Sequence, residues 1–263
     1  MRLAGFLIAL PIGTLGGLIG LGGAEFRLPV LVGVFGYSAR HAVAINLAIS
    51  LITVIAALAI RLQTLPVHEL EPLLLPIVAL TCGAVSAAFA GTALVGRLPE
   101  KRLQQIIVAF LTAIGLALIA EGFLPGEPTG LLPAHDGLRL IAGIGFGLLI
   151  GLVSSMLGVA GGELIIPTLL FAYGADIRAA GTASLLISLP TVSVGLIRYA
   201  RRGTFQQRHD LTDTIAPMGV GSAAGALIGG LLAGIVPTAL LKIGLGIILI
   251  ASALNMFRHQ RAN

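Results

Sequence analysis

Two short stretches of the sequence combine glycines, a glutamate and a proline inside long apolar runs. GLGGAEFRLP covers residues 20–29 and contains Glu25 and Arg27, whereas GVAGGELIIP covers residues 158–167 and contains Glu163. A charged side chain inside a membrane-like segment is costly and indicates a functional site. The sequence leaves two roles open for each glutamate: carrying a coupling proton, or acting as a structural counter-charge that pairs with Arg27 or with loop amides.

The glycines and prolines of these stretches predict an anion site. A glycine pair lets backbone amides approach a ligand closely. A helix that starts after the pair, near Pro29 or Pro167, directs the positive end of its dipole at the gap, which favours an anion. The candidate substrate-binding residues of the breaks are Gly22, Gly23, Ala24, Gly161 and Gly162, and the candidate helix-break residues are Pro29 and Pro167.

Polar side chains recur on the apolar segment that follows each break. The 3.6-residue period of a helix places them close to one face. They are candidates for lining a substrate cavity, although such hydroxyls also bond harmlessly to the carbonyl four residues earlier. The pairs are Asn46 and Ser184, Ser50 and Ser188, and Thr53 and Thr191, with Thr182 in addition; Asn46, Ser50, Thr182, Ser184 and Ser188 are the substrate-binding candidates.

Other glycines are spaced for helix packing rather than for binding. Small residues at four-residue intervals let two helix backbones approach each other in a membrane. Packing roles are therefore predicted for Gly16 and Gly20, for Gly143, Gly147 and Gly151, and for Gly221, Gly225 and Gly229.

The composition requires a membrane for these elements. The 263 residues are 57% hydrophobic and only 10% charged, with a mean hydropathy of +1.03, whereas soluble domains are about 25% charged. Several apolar runs reach the roughly 20 residues that a spanning helix needs. One cysteine and no Cys/His cluster predict no metal site and no cofactor. No HExxH or GxSxG motif is present, so an enzyme is not expected.

The sequence contains an internal repeat, in which the second half matches the first with an offset of 138 residues. Gly20 falls on Gly158, Glu25 on Glu163 and Pro29 on Pro167, and glycines, prolines and arginines continue to match further on. Internal repeats of this kind decide the architecture. We predict an all-α polytopic membrane protein with two homologous repeats, each with a broken or re-entrant helix followed by three transmembrane helices. The repeats are residues 1–122 and 138–263, and an acidic extracytoplasmic linker covers residues 123–137.

The charges between apolar runs favour one of two topologies, because cytoplasmic loops carry the excess of Lys and Arg. If each broken segment crosses the membrane, the halves are parallel and these charges divide nine to six. If each segment turns back, the halves are inverted and the charges divide eleven to four, the four being Arg61, Arg139, Arg178 and Lys242. The cleaner division predicts inverted halves with both termini in the cytoplasm.

The motifs GLIGLGGAEFRLPVL and SSMLGVAGGELIIPTLL, with AAGTASLLIS after the second, resemble the sulfite exporter TauE/SafE family of membrane permeases. The resemblance implies transport of sulfite, sulfonates or sulfoacetate across a bacterial inner membrane. The first copy departs from the pattern, with Ala24 in place of a third glycine and AINLAIS in place of GTASLLIS. The residues on the family's motif positions are Gly22, Gly23, Pro29, Gly161, Gly162, Pro167, Gly181, Thr182 and Ser184.

We therefore expect a multi-pass inner-membrane secondary transporter that exports small sulfur-containing anions through a site between the two breaks. An anion channel or uniporter with the same site is the alternative. The expected partners are a small anionic substrate and the lipid bilayer, with no nucleic acid; a homodimer is left open.

Overall fold

The computed structural model describes residues 2–94, 100–123, 130–157, 161–201 and 210–262, which are helical apart from short loops and turns. Arg97, Gly158, Arg202, Arg208 and part of the linker lie outside these residues. The α-helices are α1 Arg2–Ile19, α2 Ala24–Gly33, α3 Ala39–Thr64, α4 Leu74–Leu94, α5 Glu100–Phe123, α6 Asp136–Leu157, α7 Gly162–Pro167, α8 Ile177–Arg201, α9 Ala216–Ala233 and α10 Thr238–Ala262. A 3₁₀ turn, Val67–Leu73, leads into α4, and π-helical turns cover Thr168–Ala172 and Leu211–Ile215.

Six helical segments of the described ranges are long and apolar enough to cross a membrane. This confirms the predicted all-α, polytopic class. The segments are Arg2–Ile19, His41–Thr64, His68–Phe89, Asp136–Ser154, Ile177–Arg201 and Leu211–Ala233.

Both helix breaks occur at the predicted glycines. Between α1 and α2, Gly20, Gly22 and Gly23 have φ values of 96°, 82° and 70°, and Gly161 before α7 has a φ of 81°. These left-handed conformations stop a helix and are accessible mainly to glycine. The break is therefore a local consequence of the sequence.

The prolines do not mark the helix starts, contrary to the prediction. The helices begin at Ala24 and Gly162, five residues before Pro29 and Pro167 respectively. The helix continues past each proline, into the rest of α2 in the first half and into a π-helical turn in the second. Since the left-handed glycines already interrupt the helical conformation, no proline is required for the break.

The glycine series pack helices together as predicted. A Cβ at Gly225 would collide with the carbonyl oxygen of Leu10, and a Cβ at Gly147 would collide with that of Leu80. Hence α1 packs closely on α9, and α4 on α6, through backbone contact. The pair Gly16 and Gly20 differs: Gly16 lies against the backbone of Gly22 and Gly23 in the first break, and Gly20 against the backbone of Gly181 at the start of α8.

The two glycine interfaces are copies of one another. Gly83 contacts Ile144, and Gly221 contacts Phe6. These are equivalent contacts, because Gly221 lies 138 residues after Gly83 and Ile144 lies 138 residues after Phe6. The pairs Gly13 with Ser222 and Gly151 with Ala84 are related in the same way. The first long helix of each half therefore packs on the third long helix of the other half, and the halves interlock.

The two ends of each broken segment lie together. Arg2 forms an ion pair with Asp213 at 2.6 Å, and the Tyr37 hydroxyl lies 2.7 Å from Thr214 Oγ1. Both contacts are to the turn before α9. In the second half, the Tyr173 hydroxyl donates a 2.8 Å hydrogen bond to the Arg139 carbonyl in the first turn of α6. Each segment thus returns to the end of the molecule where it began.

Candidate functional site

The guanidinium of Arg27 is the most buried charge near the first break. Its side chain is 0% exposed, because α2 points it at α3 and α9. A guanidinium has five N–H donors and no acceptor, and each donor here has an oxygen partner. The partners are Asn46 Oδ1 at 3.2 Å, Thr53 Oγ1 at 3.0 Å, Ser222 Oγ at 2.7 Å, the Gly22 carbonyl at 2.8 Å and Ser50 Oγ at 2.7 Å.

All five partners of Arg27 are neutral. Its guanidinium is therefore fully hydrogen-bonded with no carboxylate among its direct partners, an arrangement that favours an anion nearby. The bonds also connect the two halves, since Ser222 belongs to α9 and the other partners belong to the first half.

Glu25 does not act as the direct partner of Arg27. Both of its carboxyl oxygens are enclosed and have no hydrogen-bond partner among the described residues. Residues two apart on a helix do not face each other, so α2 directs these two side chains away from one another. Of the two roles that the sequence leaves open for Glu25, pairing with Arg27 is not the arrangement in this structure.

The two breaks meet in the interior of the protein. A Cβ at Gly20 would collide with the carbonyl of Gly181, and a Cβ at Gly162 would lie 3.1 Å from the backbone of Leu21. The same position at Gly162 is 3.2 Å from Ser184 Oγ, a hydroxyl that is 0% exposed and has no partner in the described part of the chain. Backbone and a free hydroxyl therefore converge where the anion site is predicted.

The polar residues predicted to line a cavity have more specific contacts than the sequence indicates. Asn46 and Ser50 bind the Arg27 guanidinium, and Asn46 Nδ2 also donates to the Ala24 carbonyl at 2.9 Å. Ser188 is 1% exposed. Thr191 makes the predicted harmless bond, from its hydroxyl to the Ile187 carbonyl at 2.8 Å.

A second buried arginine, Arg61, holds the tip of α1. The sequence assigns it to a loop, but it lies in the last turn of α3 and is 1% exposed. Its guanidinium donates to the carbonyls of Gly17 and Leu18 at 2.9 and 3.0 Å, which are among the groups that a helix end leaves unpaired. It also donates to Thr182 Oγ1 at 3.0 Å, so this substrate-binding candidate is likewise engaged by an arginine.

Arg61 and Thr182 also line a small, partly open pocket. The remaining lining comes from the end of α3, the 3₁₀ turn and the start of α8. These residues are Leu62, Leu65, Pro66, Glu69, Leu70 and Ala179.

The second break is more enclosed than the first. Glu163 is 6% exposed, and a Cβ at Gly161 would collide with the Ser154 hydroxyl. The position equivalent to Arg27 is Ile165, so the second half carries no matching guanidinium. The site is therefore built asymmetrically from two similar halves.

A polytopic helical protein whose paired helix breaks meet in its interior has the architecture of a membrane permease. A profile of the family described as "Sulfite exporter TauE/SafE" matches residues 1–118 and 143–263. The chain belongs to this family of membrane transporters, as its motifs predict, and the unmatched residues fall around the linker.

A curated relative supports the same class. The "Probable membrane transporter protein ORF9" of Sinorhizobium sp is 40% identical over 104 residues. The match covers 40% of this chain and 37% of that relative, so it spans well under half of either protein. No solved structure matches the chain.

Proposed function

We propose that this protein is a secondary transporter that exports small sulfur-containing anions of the sulfite, sulfonate or sulfoacetate type. The observation that carries the proposal is the meeting of two glycine breaks beside the uncompensated charge of Arg27. The description of the family favours sulfite-type substrates.

In this proposal the breaks bind the anion and the polar helix residues hold Arg27 in place. Backbone amides near Gly22, Gly23, Gly161 and Gly162 and the Ser184 hydroxyl contact the anion directly. Arg27 supplies the attractive field. Asn46 and Ser50 act through the guanidinium that they bind.

Export needs no nucleotide in this scheme. An inside-negative membrane potential drives an anion outwards with about 2.3 kcal/mol per charge per 100 mV. The protein then needs only to provide alternating access to the site, and in this proposal it does so in the inner membrane of a bacterial-type cell.

A binding panel tests the substrate class. We expect the purified protein to bind sulfite or sulfoacetate at least about tenfold more tightly than acetate, a difference of about 1.4 kcal/mol. Isothermal titration across these anions and sulfate measures it. Equal affinity for all of them would contradict the substrate assignment.

Flux measurements separate a carrier from the alternative, an anion channel. A carrier gives saturable exchange, in which unlabelled anion on the far side accelerates uptake of labelled anion. Ohmic currents without such counterflow would favour the channel.

We also propose that the halves are inverted, with both termini cytoplasmic. The proposal is supported by the eleven-to-four division of the charges and by the contacts that bring both ends of each broken segment together. The chain then crosses the membrane an odd number of times in the first half. The second half therefore begins on the side of the membrane opposite to the N-terminus.

Single cysteines test this topology in a Cys82→Ser background. Leu3, Val34 and Leu131 are 71%, 68% and 82% exposed. We expect Leu3→Cys and Val34→Cys to react with a membrane-impermeant maleimide only from the cytoplasmic side, and Leu131→Cys only from outside. Labelling of the Leu3 and Val34 positions from opposite sides would show that the broken segment crosses and that the halves are parallel.

A further inference from the structure

Glu25 is a buried carboxyl group that the proposed binding scheme does not use. Its two oxygens are enclosed within the described structure without a hydrogen-bond donor. A buried carboxylate with no partner is strongly disfavoured, and such a group takes up a proton instead. The environment of the group therefore indicates its neutral form.

Arg27 is the charged group nearest to Glu25 along α2, and α1, α3 and α9, the described helices packed on α2, contain no carboxylate. In α1 the only charged residue is Arg2, which pairs with Asp213. In α3 the ionisable residues are Arg40 and His41 in the first turn and Arg61 in the last turn. His41 contacts Asp210 at 2.7 Å, and Arg61 contacts the tip of α1.

The net charge of the first break therefore depends on one proton. With Glu25 ionised, the carboxylate and the Arg27 guanidinium sum to zero. With Glu25 protonated, the sum is +1, because the neutral oxygens around Arg27 do not compensate it.

We propose, building on the proposed anion transport, that Glu25 binds a proton together with the transported anion, so that the protein moves one proton with each anion. The anion binds more tightly to the break of charge +1 than to the neutral break. By reciprocity, the anion strengthens proton binding by the same factor. The proton enters a Glu25 carboxyl oxygen from water on one side and leaves it on the other, and no other bond changes.

This coupling is compatible with export. A dianion that leaves with one proton still carries one net negative charge, which the inside-negative potential drives outwards. A monoanion that leaves with one proton is transported without net charge, and its direction follows the two concentration gradients.

The test compares the wild type with Glu25→Gln, which fixes the neutral form. The probe is whichever of sulfite, sulfoacetate and methanesulfonate binds the wild type most tightly, measured over a series of pH values. At pH values at which anion-free Glu25 has lost its proton, the wild-type affinity should fall with rising pH more steeply than that of the variant. The difference should be up to about tenfold per pH unit. Titration of the probe itself cancels in this comparison.

A second measurement uses the charge carried per anion in proteoliposomes. The Glu25→Gln protein should move one more negative charge per anion than the wild type, because its anion travels without a proton. Glu163→Gln is the matched control. It removes the equivalent carboxyl from the half that has Ile165 in place of an arginine, and it should keep the wild-type pH slope whatever its rate.

Equal pH slopes and equal charge per anion in the wild type and Glu25→Gln would overturn the inference. Anion flux without proton movement in the wild type would overturn it while leaving the proposed transport intact. If no anion of the panel binds, both fail. Since glutamine has the size and neutrality of a protonated glutamate, the variant should fold, and a variant that melts far below the wild type would show instead that the carboxylate is structural.

Discussion

Replacing Arg27 by glutamine should weaken anion binding strongly while leaving the protein folded. Loss of a buried charge that faces an opposite charge costs about 2 to 5 kcal/mol, which is about 30-fold or more in affinity. The fold should survive because glutamine keeps a side-chain donor and two of the five partners also bond elsewhere: Thr53 Oγ1 lies 2.8 Å from Ser222 Oγ and donates to the Ile49 carbonyl at 2.8 Å.

Arg27→Lys separates charge from hydrogen bonding. Lysine keeps the positive charge but has three donors in place of five, so two of the oxygens around it lose their partner. Anion binding by Arg27→Lys should therefore lie between that of the wild type and that of Arg27→Gln. Titration with the best anion of the panel measures binding, and thermal melting in detergent measures folding. Equal losses in the two variants would mean that Arg27 acts through its hydrogen bonds alone.

Adding one methyl group at Gly147 should destabilise the protein strongly. The new Cβ would collide with the carbonyl oxygen of Leu80, which belongs to a rigid helix and cannot rotate away. Overpacking of this kind typically costs about 1 to 3 kcal/mol. Gly147→Ala should lower the melting temperature and reduce the amount of folded protein in the membrane, because α4 and α6 must move apart.

Gly145 provides the control on the same helix. A Cβ at Gly145 meets no atom within 4 Å, and alanine favours a helix over glycine by up to about 1 kcal/mol. Gly145→Ala should therefore melt at or above the wild-type temperature. A similar loss of stability in both variants would show that α6 requires glycine for its backbone rather than for its contact with α4.

The places where the sequence succeeded are governed by local chemistry. Glycine pairs followed by an apolar helix predicted the breaks at Gly22, Gly23 and Gly161, because left-handed backbone is a property of the residue itself. The four-residue glycine series predicted close helix packing for a similar reason, since only small residues permit backbones to touch, and the structure shows this packing between α1 and α9 and between α4 and α6. The predicted helix starts near the prolines were wrong, because a proline can lie within a helix whose start is fixed by earlier glycines.

The residues whose roles the sequence did not predict have partners that are distant in the chain. Asn46 and Ser50 look like cavity residues until Arg27 is placed against them, 19 and 23 residues away. Ser222, 195 residues away, looks like part of a packing series. Arg61 looks like a loop charge until the carbonyls at the tip of α1 are seen to lie against it.

By itself the sequence determined a helical membrane protein of two repeats with a glycine break in each, because apolar length, residue identity and internal matching can be read along one chain. Only the tertiary structure decided what the charges do. It gave Arg27 five neutral partners from both halves and left the carboxyl oxygens of Glu25 without a partner among the described residues. The physical reason is that a buried charge is defined by the groups that surround it in space, and these come from helices far apart in the sequence.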